Sequence, residues 1–587
     1  MNSSNSRSIA DSPFMVGVSG HRDLDPADLP RLRDAVTSFV RQLKKHLPDT
    51  ELRLTVGMAE GADLLVAETA VALGVTVEAV LPMSIDHYAA DFDAETLAHL
   101  RTLLHHPHVR CVELAAPAGE RAEPHSSAQR EAMYANLTAT LVRRSSLLLA
   151  LWDGRVSQLP GGTADTVLRF LGIRTDEHPG PDTLEFIETH DEDDHIERLV
   201  YWMPTPRSGS PVDPREPCYL KASGDSALKV EHSLPAPLMR QLAELNAYNL
   251  EYRQLSDAGR LPSRASLMSG LAQSPPPGDR PLLEEIDAQY GKADTLAVYY
   301  QRHSDRLFHL FGVMAFTMGV AYLLYEQVTE SRLVLVAYVL VLLTSLFVYY
   351  VLQGKRWFGK HLAYRALAET LRAKFYLRLA GADQSVDATE VLSLSRIDRF
   401  RGFGWITFVL NGIEPAEAPS GPVCRLDALE PGGVGQAWID NQYAYFVRRV
   451  ARLEKASRRV KIFRQGLLIA ILASISVLFL FGRALHHIDM GLGVPLTNML
   501  TFSIGLLAVL LGVWELHQDK MATRELLWQY RNQLNHFARA KAQLARMIVP
   551  ERRNQLLAEL GKDSLMESYL WAIHRYHREH EPPAAGG

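Results

Sequence analysis

Four blocks of uncharged apolar residues, all in the second half of the chain, constrain its folding more than any other feature. Leu333–Leu352 is a run of Leu, Val, Ala, Tyr and Phe broken only by Thr344 and Ser345. As a helix, about 20 such residues reach roughly 30 Å, the thickness of a bilayer's hydrocarbon layer. Leu307–Tyr325, Gln465–Gly482 and Leu496–Trp514 repeat the pattern, so four transmembrane helices in two hairpins are predicted. The average composition hides this segregation, since mean hydropathy is only −0.07 and 22% of residues are charged.

The flanking charges set an orientation. Arg448, Arg449, Arg452, Lys455, Arg458, Arg459, Lys461 and Arg464 precede the third span, and Lys520, Arg524 and Arg531 follow the fourth. Arg302, Arg306, Lys355, Arg356 and Lys360 flank the first pair, whereas the connectors within the pairs hold only Arg332 and Arg483 beside Glu326, Glu330 and Asp489. The positive-inside rule then puts both connectors outside and both termini in the cytosol of a multi-pass protein. Met1–Pro13 has no apolar segment of the kind a cleaved signal needs. The spans carry no central Asp, Glu, Lys or Arg, unlike those of a proton- or ion-coupled transporter. Broken, Gly/Pro-interrupted helices are mostly absent, Pro495 sitting at a span edge, which weighs further against a transport core.

From Phe14 to about Met203 short apolar runs alternate with helical periodicity. Phe14–Val18, Leu52–Val56, Val75–Leu81, Val109–Leu114, Ser146–Leu151 and Leu199–Met203 read as strands. Leu29, Leu32, Val36, Phe39, Val40 and Leu43 line one helical face between the first two. Such alternation predicts an α/β, Rossmann-like, doubly wound parallel sheet ahead of an all-α membrane region. Ligands of these sheets bind where strands end and helices begin. Those loops read Gly17–Asp23, Gly57–Asp63, Leu81-Pro82-Met83, Trp152-Asp153-Gly154 and Pro160–Asp165. Glycines there let backbone N–H groups approach an anion at a helix N-terminus.

The order GxxGHRD, GxAxGAD, LP at a strand end, WDG and then PGGT resembles the SLOG domain, related to the Lonely Guy nucleotide phosphoribohydrolases and to DNA-processing protein A. The resemblance implies nucleotide binding by Gly20, His21, Arg22, Gly57, Glu60, Gly61, Asp63, Pro82, Asp153, Gly154, Gly161, Gly162 and Thr163. The Lonely Guy enzymes read PGGxGTxxE, and their glutamate takes part in glycosidic cleavage. Here Leu168 stands at that place, and a leucine can neither take a proton nor stabilise positive charge. Asp165 is the carboxylate that could substitute from a shifted position. Binding without turnover is expected, with no catalytic residue assigned. A second resemblance lies in Tyr364–Arg372, whose YRxxAExLR pattern on the helix leaving the first hairpin is similar to the two-span SLATT domain of bacterial conflict systems. Leu527, Tyr530, Leu534, Phe537 and Leu544 form an apolar stripe on the helix leaving the second, read as a second copy of the unit.

The predicted organisation is a tail (1–13), a nucleotide-binding domain (14–205), a linker with a short helix (206–284), a first two-span unit (285–381), an insertion (382–435) and a second two-span unit (436–580). The net charge of −5 gives no basic footprint for nucleic acid. Cys111, Cys218 and Cys424 form no CxxC pair, and the acidic cluster His190–His195 and the histidines His105, His106 and His108 read as solvated loops rather than metal ligands. The two resemblances together imply a homo-oligomeric effector in the bacterial inner membrane. A nucleotide second messenger or NAD-derived ligand would be sensed in the cytosol, and the spans would then form a pore or disrupt the bilayer in antiviral defence. No cofactor is expected. The alternative is a membrane-anchored nucleotide phosphoribohydrolase-like enzyme.

Overall fold

The computed structural model describes residues 11–116, 126–157, 160–173, 185–188, 198–207, 216–223, 227–271, 274–275, 277–382, 403–413, 433–488, 494–520, 523–547 and 549–579. Its N-terminal part is built on a nine-stranded sheet. The strands are β1 (Phe14–Gly20), β2 (Leu52–Val56), β3 (Thr76–Leu81), β4 (Val109–Glu113), β5 (Leu147–Trp152), β6 (Glu185–Glu188), β7 (Val200–Pro204), β8 (Cys218–Ala222) and β9 (Ala227–Glu231). They lie in the order β4-β3-β2-β1-β5-β7-β8-β9-β6. The six strands predicted from sequence form the parallel block β4-β3-β2-β1-β5-β7, so the doubly wound fold is present.

Strand β1 is buried along nearly its whole length, as expected of a parallel strand covered on both faces. On one face lie α1 (Leu29–His46), α2 (Ala62–Ala72) and, after the short α3 (Ile85–Tyr88), α4 (Ala94–Leu104). Helix α1 puts Leu32, Val36, Phe39, Val40 and Leu43 into the core, the stripe that the i, i+3, i+4 spacing predicts. On the other face α5 (Ser127–Arg144) and α6 (Thr163–Leu171) cover smaller apolar clusters.

The segment 206–284, expected to be a linker, departs from the sequence reading. Strands β8 and β9 lie inside it and pair antiparallel with β7 and with each other, so the sheet runs on to Glu231. Each is only five residues long, β8 mostly buried and β9 alternating buried and partly exposed residues, so the local signal is short. The helix read at Leu238–Tyr252 is α7, Ala236–Asp257, and buries Leu238, Leu242, Leu245 and Tyr248 on the face that α1 covers.

The helical half consists of α8 (Arg280–Gln327), α9 (Arg332–Gln353), α10 (Trp357–Ala380), α11 (Trp405–Ile413), α12 (Asn441–His486), α13 (Leu496–Lys520), α14 (Thr523–Leu544) and α15 (Pro550–Glu579). Four of these, α8, α9, α12 and α13, carry the apolar blocks and are long and apolar enough to cross a membrane, each containing an 18-residue stretch whose mean hydropathy is 1.9, 2.4, 2.3 and 2.0 in turn. Their outer faces are bare, with Leu333 80% and Phe479 88% exposed. In water that area would drive aggregation, whereas in lipid it is the required surface. The chain is therefore a membrane protein.

The two hairpins do not stand apart. In α8, Gly319 is so close to α13 that an added Cβ would lie 2.4 Å from Val509 Cγ1, and Gly505 meets Leu323 in the same way. Asn498 Nδ2 also donates to the Gln327 carbonyl at 3.3 Å. Small residues permit such approach between helices in lipid, where packing rather than water exclusion drives association. The stripe on α14 is internal packing. Phe537 is buried against Trp438 and Phe446, with ring centroids 6.2 and 5.7 Å apart.

Candidate functional site

Strand order reverses between β1 and β5, because the chain leaves β1 toward β2 and leaves β5 toward β7. At such a switch point the connections diverge and leave a crevice beyond the carboxyl ends of the strands. His21 holds this crevice together. Its N–H donates to the Leu151 carbonyl at 3.1 Å, and its carbonyl accepts the Ala62 N–H at 3.0 Å. Its Nε2 lies 3.0 Å from the Asp153 backbone nitrogen and 3.2 Å from Asp153 Oδ1. A neutral ring accepts the amide, and a protonated ring donates to the carboxylate. One residue, through its backbone and its ring, thus ties the ends of β1 and β5 to the start of α2.

Burial pushes the Asp153 carboxyl upward, but the bond to His21, the Arg155 N–H and nearby Arg207 outweigh it and hold the pKa below the usual value. Arg207 Nε lies 3.3 Å from Oδ2. Asp153 is therefore a fixed anion at the end of β5.

Helices α2 and α6 open on Gly61 and Gly162 with no side-chain cap. In both, an aspartate of the first turn folds back. The Ala59 N–H donates to Asp63 Oδ2 at 3.2 Å, and the Gly161 N–H donates to Asp165 Oδ2 at 2.8 Å. Asp165 also pairs with Arg169 at 2.6 Å, so it is engaged as a cap and ion-pair partner rather than held free as a base. Asp63 is buried, and burial drives its pKa up to about 7 against the pull of the Ala59 N–H and Arg22.

Gly61 has φ +82° and its missing side chain leaves room for the Arg22 backbone, whose carbonyl oxygen would sit 2.2 Å from an added Cβ. Gly161, at φ +77°, backs onto Tyr134 in the same manner. Glycine is thus required at both by turn conformation and close packing. Met58 adopts φ +58° in the same loop as Gly61, a conformation uncommon outside glycine that tends to mark functional turns.

The expected residues are drawn together unevenly. Gly20, His21, Gly61, Asp63 and Asp153 cluster at the β1–β5 ends, and Gly20 abuts Ala62 and Leu151. Gly57 ends β2 beside Asp63 and Leu137. Arg22 places its guanidinium carbon 5.3 Å from the Tyr134 ring centroid, which connects this cluster to Gly161. Arg22 and Glu60 are exposed on the rim, Gly162 and Thr163 are half-buried at the start of α6, and Pro82 is buried at the end of β3. Gly154 follows Asp153 at φ +78°.

Four residues escaped the sequence reading. Tyr134 donates to Asp91, which also pairs with Arg130, and the buried Tyr88 hydroxyl donates to the Gly57 carbonyl at 3.1 Å. They come from α3, the turn after it and α5, where no motif announces them. Leu168 faces away from the crevice, fully buried among Trp152, Val200 and Trp202. The described residues contain no group of three or more metal-ligating side chains. His105 Nδ1–H donates to the Arg101 carbonyl of its own helix at 2.7 Å. The cluster His190–His195 lies outside the described residues.

A polar chain links this domain to the membrane half. Asn249 of α7, fully buried, accepts from the Ser12 N–H at 3.1 Å and from Lys292 Nζ of α8 at 2.7 Å. Glu251 of α7 accepts from Tyr300 of α8 at 2.7 Å and Tyr364 of α10 at 2.9 Å, and pairs with Lys360. The sheet's main core continues without a break into α8, α10 and α14. No protein-family model matches this chain. No curated protein matches it either.

Proposed function

We propose that the chain is a nucleotide-sensing membrane effector, in which a nucleotide-derived ligand at the β1–β5 crevice drives the spans to open a pore or disrupt the bilayer. The observation that carries the reading is the meeting of two glycine-opened helices, His21, Arg22 and Asp153 at the switch point of a doubly wound sheet, the place where such folds take phosphorylated ligands. The core shared between sheet and juxtamembrane helices supports mechanical coupling. A ligand shifts that arrangement only by preferring one state over the other. The spans lack central charges, which favours a lesion over coupled transport. The flanking cations orient both termini to the cytosol, by the positive-inside rule, in the bacterial inner membrane. A homo-oligomer acting in antiviral defence follows from the SLOG and SLATT resemblances.

The experiment is calorimetric titration of full-length protein in nanodiscs with cyclic nucleotides and NAD-derived nucleotides. Arg22→Ala and Gly161→Glu are expected to abolish binding while leaving the protein inserted. Binding unchanged in both would remove the crevice from the account.

One observation favours the hydrolase alternative. Asp63, with its pKa near 7, has the affinity for protons that a general acid needs. Nucleotide breakdown followed in the same titrations, and lost in Asp63→Asn, would carry that reading instead.

A further inference from the structure

A second cavity, of about 190 Å³, lies between α7 and the start of α10, lined by Ala243, Glu244, Lys355, Arg356, Lys360 and Tyr364 among others. It opens within a few residues of the end of the second apolar block, Leu333–Leu352. Three of its walls carry cations. Arg356 pairs with Glu244 at 2.9 Å and Lys360 pairs with Glu251, while Lys355 is exposed to solvent. Small residues make the room, with Ala243, Ala247, Gly354 and Gly359 on the lining. The last turns of α9, which lead in sequence into the lining residues Gly354 and Lys355, present bare apolar side chains, Phe347 at 67% and Tyr350 at 70% exposure.

We infer that this cavity binds the anionic headgroup of a phospholipid, its phosphate on Lys355 and Arg356 and its acyl chains along the exposed end of α9. The nature of the partner follows from that juxtaposition, since a hollow with cations at the end of an apolar span fits an amphiphile rather than a free ion. Basic recesses at the membrane surface collect acidic lipids, and a guanidinium takes a phosphate with two hydrogen bonds where a carboxylate is its present partner. Arg356 can exchange Glu244 for the lipid phosphate. Glu244 belongs to α7, the helix that also holds Glu251, so lipid occupancy would loosen the contact between the sheet domain and the first hairpin. The inference needs the membrane location only and is independent of what the crevice binds.

The test reconstitutes full-length protein in phosphatidylcholine vesicles containing a minor fraction of phosphatidylglycerol, re-extracts it gently and counts retained lipids by native mass spectrometry. Wild type is expected to retain phosphatidylglycerol enriched several-fold over its share of the vesicle. Lys355→Ala with Arg356→Gln is expected to lose that enrichment, and Lys355→Ala alone, at an exposed position, to lose part of it. Arg458→Gln with Arg459→Gln removes as much charge from the exposed surface of α12 and is expected to keep the enrichment. No enrichment in wild type, or equal enrichment in every variant, would overturn the inference. Displacement of the lipid by soluble glycerol phosphate at equal concentration would assign the cavity to free phosphate and overturn the lipid source.

Discussion

Asp63 and Asp165 make the same contact at the heads of two different helices, each carboxylate accepting the backbone N–H of the residue four positions before it, at 3.2 and 2.8 Å. They differ in company. Asp165 has the Arg169 guanidinium at 2.6 Å, whereas Asp63 is buried with no ion-pair partner in contact among the described residues, and its pKa rises to about 7. The same device is therefore braced by an ion pair in one loop and sensitive to protonation in the other.

That difference has a pH consequence. The folded pKa of Asp63 lies above the ordinary aspartate value of 3.8, so between roughly pH 4 and 7 the folded state binds the extra proton. Its contribution to stability is full below that window and is lost as pH rises through 7. The change is at most about 4 kcal/mol, at 1.36 kcal/mol per pKa unit. Urea denaturation of full-length protein is expected to give a stability that falls from pH 5 to pH 8, and Asp63→Asn is expected to flatten this part of the profile. An unchanged slope would contradict the assignment.

Lys292 behaves in the opposite sense. It is fully buried and its pKa is lowered to about 8, chiefly by burial, with Asp11 opposing. Between pH 8 and about 10.5 the unfolded chain binds the extra proton, so stability rises with pH there, by about 3 kcal/mol at most. Lys292→Met is expected to remove that rise, measured by the same denaturation series carried to pH 10.

Glycine at the hairpin contact separates close packing from mere helix composition. An added methyl at Gly319 would meet Val509 at 2.4 Å, while one at Gly312 would meet Val513 at an ordinary 3.9 Å. Gly319→Ala is expected to cost about 1–3 kcal/mol by overpacking and Gly312→Ala close to nothing. Thermal melting in detergent distinguishes the two.

Leu168→Glu would restore the enzyme-like glutamate on paper. In the fold the new carboxylate would enter the cluster of Trp152, Val200 and Trp202, where an unpaired charge is strongly destabilising. The variant is expected to lose stability and gain no nucleotide breakdown, checked by melting and by product analysis.

The parts of this architecture that were legible from sequence are those that declare themselves locally. Each of the six strands of the parallel block β4-β3-β2-β1-β5-β7 reads as a short, mainly apolar run, and each apolar block has the length of a bilayer. Strands β6, β8 and β9 escaped because runs of four or five residues with charged positions among them stand out little from the polar stretches around them. Glycines and aspartates at strand ends marked the crevice, yet Tyr134 and Asp91 joined it from segments whose pattern speaks only of packing. The contact of Gly319 with Val509 was beyond reach for the same reason, since hydropathy gives the length of a span and not its neighbour.

The most direct measurement is dye release from liposomes containing full-length protein, with nucleotide concentration followed in the same samples. The account expects the nucleotide that binds the crevice to trigger release without being consumed, and expects Arg22→Ala to abolish release. Breakdown of the nucleotide with no release of dye would contradict it.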